Sequence, residues 1–266
     1  MGTISYPSFA SLLVTPMANG KEFASATGFV VVHDSKPYLI SNWHVLSGRE
    51  PDSENPSGGS AFVPTSIRIW HNTAKVDGRP HELVPTDEPL CDSDGAALWL
   101  EHPEFGSNVD AAALPLGLVQ PPVDLQPFVL SDEPSMDLSP GDQLSIVGFP
   151  YGRTVDGRYA IWIRGSLATD HCLDYENTKS FLVDARTRKG QSGSPVIQFV
   201  PSGSTARLKG QPITVSGDHH ALLGVYAGRL NRKDTGGDSS DLGRVWKSSV
   251  IREILVGAKR APFLHE

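Results

Sequence analysis

The sequence predicts an all-β protein, arranged as two consecutive β units with a single helix closing the C-terminus. Three observations predict it. The apolar residues fall into short runs of strand length, rich in Val, Ile, Leu and aromatics. Gly and Pro are generous, at 26 and 21 of 266 residues, and they punctuate those runs. Only one stretch, near the end, carries apolar residues at helical spacing. A composition of 39% hydrophobic and 20% charged residues is that of an ordinary globular chain able to build a sizeable core.

Taken in order, the first unit offers β candidates at Phe23 to Asp34, Lys36 to Val45, Ser66 to Asn72, His81 to Pro85 and Ala96 to His102, and ends in "VDAAALPL". Two polar stretches between them, Gly48 to Thr65 and Pro85 to Gly95, read as exposed loops. "LVQPPVDLQP", Leu118 to Pro127, is stiffened by three prolines and reads as a connector. It divides the chain into residues 1–120 and 121–266. The second unit repeats the pattern in "PFVLSDE", "GDQLSIVGFPYG", "RYAIWIRGSLATD", "KSFLVDAR", "SPVIQFV" and "ALLGVYAGRL". In "LGRVWKSSVIREILVGAK", Val245, Trp246, Val250, Ile251, Ile254 and Leu255 fall on one helical face, which predicts the terminal helix. Two β units side by side imply a cleft between them, a common place for an active site.

Charge narrows the partners. The formal net charge is -7, from 23 Lys and Arg against 30 Asp and Glu, and no dense basic run could neutralise a phosphate backbone. Nucleic acid is not an expected partner. The basic tail at Gly257 to Arg260 reads as the solvated end of the helix. No stretch is long enough to span a bilayer, and the first twenty residues lack a basic start and an uninterrupted apolar core. Tyr6 stands where an N-myristoylation motif prefers Ser or Thr. A cytoplasmic protein without membrane attachment is the expectation. Cys91 and Cys172 are too few for a disulfide framework and read as free thiols.

Peptide hydrolysis at neutral pH needs an activated nucleophile, a base, a group that orients the base, and donors for the oxyanion. "RKGQSGSPV" places Ser192 between Gly190 and Gly193, residues that permit a tight turn with two backbone N–H groups facing one small volume. "YLISNWHVL" ends a β-rich segment in His44, although a lone histidine is more often structural. "NVDAAALPL" sets Asp110 directly before an apolar strand, where a carboxylate can be buried and aimed.

The ordered set "TGFVV", "LISNWHVL", "VDAAALPL", "GDQLSIVGFPYG" and "DARTRKGQSGSPV" resembles the segments around His, Asp and Ser in the trypsin-like serine peptidases, most closely the bacterial HtrA-like branch without its PDZ domain. The resemblance covers Thr27 to Gly228. It implies two six-stranded antiparallel β-barrels with the catalytic residues in the cleft between them, the first barrel carrying base and carboxylate and the second the nucleophile. It further implies His44 as base, Asp110 as orienting carboxylate, Ser192 as nucleophile, and the N–H groups of Gly190 and Ser192 as oxyanion donors. Tyr226, Ala227 and Gly228 match the strand that pairs with extended substrate, a protein or peptide. Arg186 matches the base of the S1 pocket; there a cation favours Asp or Glu at P1, whereas an Arg turned to solvent has no such effect. No cofactor or metal is expected.

The departures from the family pattern are informative. Gln191 stands where digestive members carry the Asp that pairs with a new N-terminus, so activation by that ion pair is not expected. Ser194 replaces a usual Gly, which is tolerated if its backbone is not left-handed. The long span from His44 to Asp110 predicts enlarged loops that cover the cleft or engage a regulatory protein partner. An α/β-hydrolase is rejected, because Ser194 breaks Gly-x-Ser-x-Gly and alternating helices are missing. Metal dependence is rejected, because no His-x-x-x-His or Cys-x-x-Cys spacing occurs and the adjacent His219 and His220 point to opposite sides of a strand. The remaining alternative is a catalytically silent trypsin-like domain that acts as a protein-binding module.

Overall fold

A computed structural model describes residues 4–51, 63–73, 82–117, 123–131, 134–230 and 241–262. A short helix, α1 (Tyr6–Ala10), leads into β1 (Ser11–Ala18), which becomes the middle of the first sheet although the sequence reading assigned no strand there. Pro16 is the reason the run is hard to read, since Pro removes a ladder donor. It is tolerated because of register: the ladder to β3 (Ala26–His33) uses only Ser11 to Val14, and the ladder to β2 (Lys21–Glu22) begins at Met17. No donor is missed between them.

The sheet continues with β4 (Lys36–Ser41), β5 (Ser66–Asn72), β6 (Leu83–Pro89) and β7 (Ala112–Pro115), in the order β6-β5-β1-β3-β4-β7 with β2 paired to β1. The second unit is a closed antiparallel barrel. It comprises β8 (Gln143–Gly148), β9 (Ile161–Leu167), β10 (Ser180–Asp184), β11 (Pro195–Val200), β14 (His219–Arg229) and β15 (Leu242–Lys247), in the order β10-β15-β14-β11-β8-β9. Between β11 and β14 the hairpin β12 (Thr205–Leu208) and β13 (Gln211–Thr214) stands apart as its own two-stranded sheet.

Several expectations change. The first sheet curls, but among the described residues no continuous ladder closes it. The segment Ala96 to His102, expected as a strand, makes only isolated bridges among the described residues, from Ala97 to Cys91, from Leu100 to Ala113 and Arg260, and from His102 to Gly106, so it crosses from the end of β6 towards β7 without becoming a strand. Conversely, Pro85 to Pro89, expected as loop, is strand: β6 pairs through Leu83 to Pro89 with β5. β6 alternates half-buried and exposed residues and includes two prolines, as a polar edge strand does. Within "PFVLSDE", whose last two residues lie outside the described residues, the described part contributes one parallel bridge, Phe128 to Val31. Val245 and Trp246 belong to β15; the helix α3 begins at Ser248 and ends at Gly257. Of the two other stretches read as loop or connector, residues 52–62 and 118–122 lie outside the described residues. Cys91 and Cys172 are free thiols.

Apolar runs without clean alternation are explained by burial on both faces. Along β3, Val30 enters the interior of the first sheet with Val14, Leu39, Ile67 and Ile69, while Phe29 and Val31 face the second barrel. From the other side Val147, Ile197, Leu222, Val225 and Trp246 meet them, and Val250, Ile251, Ile254 and Leu255 of α3 complete the same cluster. The barrel interior is separate and contains Leu144, Ile146, Phe181, Val183, Val196 and Tyr226. The helix is therefore part of the core that joins the two sheets. Ile251→Ala removes a fully buried side chain from this cluster and is expected to cost about 2–5 kcal/mol. The readout is a lowered urea midpoint with an unchanged m-value.

Candidate active site

His44 is positioned by the end of β4. After Ser41 the chain turns at Asn42 into the short helix α2 (Trp43–Ser47), which stops at Gly48 in the left-handed region. β7 pairs Ala112 with Ser41, so Asp110, two residues before Ala112, falls opposite the first turn of that helix. The buried side chain of Asn42 locks the arrangement by donating from Nδ2 to the Asp110 carbonyl at 2.7 Å.

The Asp110 carboxylate has two roles at this point. Oδ1 accepts the backbone N–H of His44 at 3.0 Å, satisfying a donor that the helix start leaves free. The His44 Nδ1 lies 2.8 Å from Oδ2 and 3.0 Å from Oδ1. In the neutral ring this makes Nδ1 the protonated nitrogen and leaves Nε2 as an acceptor. Burial pulls the imidazole pKa down, but the charge and hydrogen bonding of Asp110 outweigh it, and the pKa lies above the ordinary histidine value.

Ser192 comes from the other sheet, in the turn before β11. Gly190 and Gly193 on either side have φ of +93° and +81°, a region L side chains avoid. Gly193 is also a point of close approach: a Cβ there would lie 2.0 Å from the Thr27 carbonyl oxygen and 2.4 Å from Ser41 Oγ. The Ser192 carbonyl accepts the Thr27 N–H at 2.8 Å. The Ser192 turn thus rests on the start of β3 and on the end of β4, from which the chain runs on to His44. No hydrogen bond joins Ser192 Oγ to His44 among the described residues. In this class of site that bond commonly tightens only in the substrate complex.

The N–H groups of Gly190 and Ser192 have no partner among the described residues. The Lys189 carbonyl accepts the Tyr151 N–H at 2.6 Å, so the Gly190 N–H of the same trans peptide points the opposite way, out of the 149–152 turn. Gln191 is fully buried, and its Oε1 accepts the Ser194 hydroxyl at 2.9 Å. Ser194 is not left-handed, so its departure from Gly carries no backbone strain.

The specificity residues fare differently. Arg186 does not line an enclosed pocket beneath Ser192: its side chain is 84% exposed and lies 3.9 Å from Asp241. The guanidinium is turned to solvent. The buried hydroxyls of Thr187 and Tyr226 bond to each other, a contact no local pattern contains because the two residues are 39 positions apart. Tyr226 donates its N–H to the Ser194 carbonyl at 2.9 Å and accepts the Gly193 N–H at 3.0 Å, so it anchors the turn that carries Ser192. Ala227 sits at a register shift, between Tyr226 and Gly228, where β14 bulges.

A family model described as "Trypsin-like peptidase domain" matches residues 26–235. Among solved structures, the Rv3671c protease of M. tuberculosis H37Rv in its inactive form shares 16% identity over 94% of this chain and 88% of its own, with a TM-score of 0.47. The serine endoprotease of Yersinia pestis shares 14% identity over 96% of this chain and 67% of its own, with a TM-score of 0.52, a likeness of fold. No curated protein matches the chain.

The Asp110 contact predicts how His44 titrates. NMR of the ring should place its pKa above the ordinary imidazole value in the wild type and lower in Asp110→Asn, where burial persists without the opposing charge. The pair's stabilisation of the fold should be fully present below the unfolded imidazole pKa and disappear as pH rises through the raised one.

Proposed function

The chain belongs to the trypsin-like peptidase domain family, and from that premise we propose that it is an endopeptidase acting on protein or peptide substrates through an acyl-enzyme on Ser192. The observation that carries this reading is the Asp110 clamp on His44 Nδ1, because it fixes the tautomer whose free nitrogen can accept a proton. Ser192 Oγ attacks the scissile carbonyl carbon while His44 Nε2 takes the hydroxyl proton. The carbonyl oxygen becomes an oxyanion, for which the unpaired N–H groups of Gly190 and Ser192 are the donors. On collapse the C–N bond breaks, and the amine leaves with the proton from His44. Water, deprotonated by the same nitrogen, then hydrolyses the ester and regenerates Ser192.

Gln191 supports a site that matures without the N-terminal ion pair of digestive relatives: the side chain is neutral, and its oxygen is satisfied by Ser194. Substrate backbone is assigned to the β14 edge at Ala227 and Gly228, beyond the bonds that Tyr226 makes to the nucleophile turn. The enlarged loops remain the natural place for a regulatory protein partner.

Two measurements test the reading. A fluorophosphonate probe should label the wild type and not Ser192→Ala, and peptide turnover in that variant should fall by about 10⁴-fold or more. A folded wild type that never labels and never cleaves would instead establish the binding-module alternative. Because Arg186 faces solvent, Arg186→Ala should leave the P1 profile of a peptide library unchanged. A selective loss of acidic P1 cleavage would show that the side chain turns inward.

A further inference from the structure

We infer that Thr27 is a positioning residue for the reaction, and that its buried hydroxyl, supplied by the first sheet, holds the oxyanion donors of the second sheet in their working direction. The inference rests on the peptidase reading above and deepens it. It begins from the conformational freedom of Gly190. A glycine at φ +93° is the residue of the turn most able to rotate, and a rotation there would swing its N–H away from the nucleophile.

Both peptides that flank Gly190 are pinned through their carbonyls. Lys189 O is held by the Tyr151 N–H at 2.6 Å, and Gly190 O accepts the Thr27 hydroxyl at 2.8 Å. The same Thr27 oxygen accepts the Phe149 N–H at 3.1 Å. Phe149 leads into the turn that carries Tyr151, so one hydroxyl ties together the two segments whose mutual placement orients the Gly190 N–H. Its single proton and an acceptor lone pair are both in use, and the residue is completely buried.

The surroundings are built to admit this hydroxyl. A Cβ on Gly148 would lie 2.6 Å from Thr27 Oγ1 and 2.1 Å from Ser194 Oγ, so β8 must present a bare α-carbon there. Neighbouring Gln191 and Ser194 bond to each other through uncharged groups. The turn is thus held by neutral hydrogen bonds, of which those of the Thr27 hydroxyl form when the two sheets pack. The main-chain bond from Thr27 N to Ser192 O is separate from the hydroxyl and survives any side-chain substitution.

The test compares Thr27→Val, which keeps the shape and loses the hydroxyl, with Thr27→Ser, which keeps the hydroxyl. Readouts are kcat and KM on one peptide, the rate of fluorophosphonate labelling, and the thermal midpoint. Thr27→Val should lose about 10- to 100-fold in kcat and labelling rate, within the range for a disturbed oxyanion donor, with KM changed by less than about threefold. Thr27→Ser should recover most of that rate. If Thr27→Val does not fold, Thr27→Cys, a weak donor of similar size, is expected to label more slowly than the wild type. A variant without the hydroxyl that labels as fast as wild type overturns the inference. So does a loss in Thr27→Ser equal to that in Thr27→Val, or a drop in thermal midpoint with kcat unchanged. A wild type that neither labels nor cleaves overturns the peptidase reading and this inference with it.

Discussion

The turn that carries Ser192 can touch the first sheet only because Gly193 has no side chain. A Cβ there would stand 2.0 Å from the Thr27 carbonyl oxygen, a distance no packing adjustment accommodates. From that contact follow the bond from Thr27 N to Ser192 O, the nearness of Ser41, and the placement of Ser192 beside the corner that delivers His44. The apolar cluster shared by β3, β8, β14 and α3 maintains the approach over a much larger area. The arrangement is a property of the interface, since His44 and Asp110 come from the first sheet and Ser192 and Gly190 from the second.

Within the first sheet one carboxylate couples folding to chemistry. Asp110 satisfies the first turn of α2 and the His44 ring at once, so the group that starts the helix also sets the tautomer. Helix start and ring are two to three residues past the β4–β7 ladder, which carries the rigidity of a paired strand into the side-chain geometry. Trp43, the residue before His44, is tied as well: its indole N–H donates to the buried Glu101 carboxylate, which pairs with Lys259 just beyond α3. The C-terminal segment therefore braces the base from behind as well as filling the core.

How legible each part was depends on how local its cause is. β5 was readable to the residue because "SIRIWHN" alternates along its own length. β1 was hidden by Pro16, whose harmlessness depends on where two neighbouring ladders end. β6 was mistaken for a loop because an edge strand is polar and tolerates proline, the same signs that mark a turn. Ala96 to His102 has a strand's composition, but it is drawn between Cys91 on one side and Ala113 on the other and completes a ladder with neither. For Ser192, the glycines of the turn were a usable signal. His44 and Asp110 are legible only through the ordered resemblance of several segments, since the 65 residues between them carry no pairing information.

The sequence by itself determined the β texture, the closing helix and the residue types that peptide hydrolysis requires, because strand period, glycine conformation and side-chain chemistry are properties of neighbouring residues. Only the tertiary structure decided that Arg186 faces solvent, that Thr187 and Tyr226 bond to each other, and that the Gly190 N–H has no partner among the described residues. Those outcomes turn on contacts such as Thr27 to Gly190, made across 163 residues. Such a contact exists only once two sheets have packed, and no local pattern contains it.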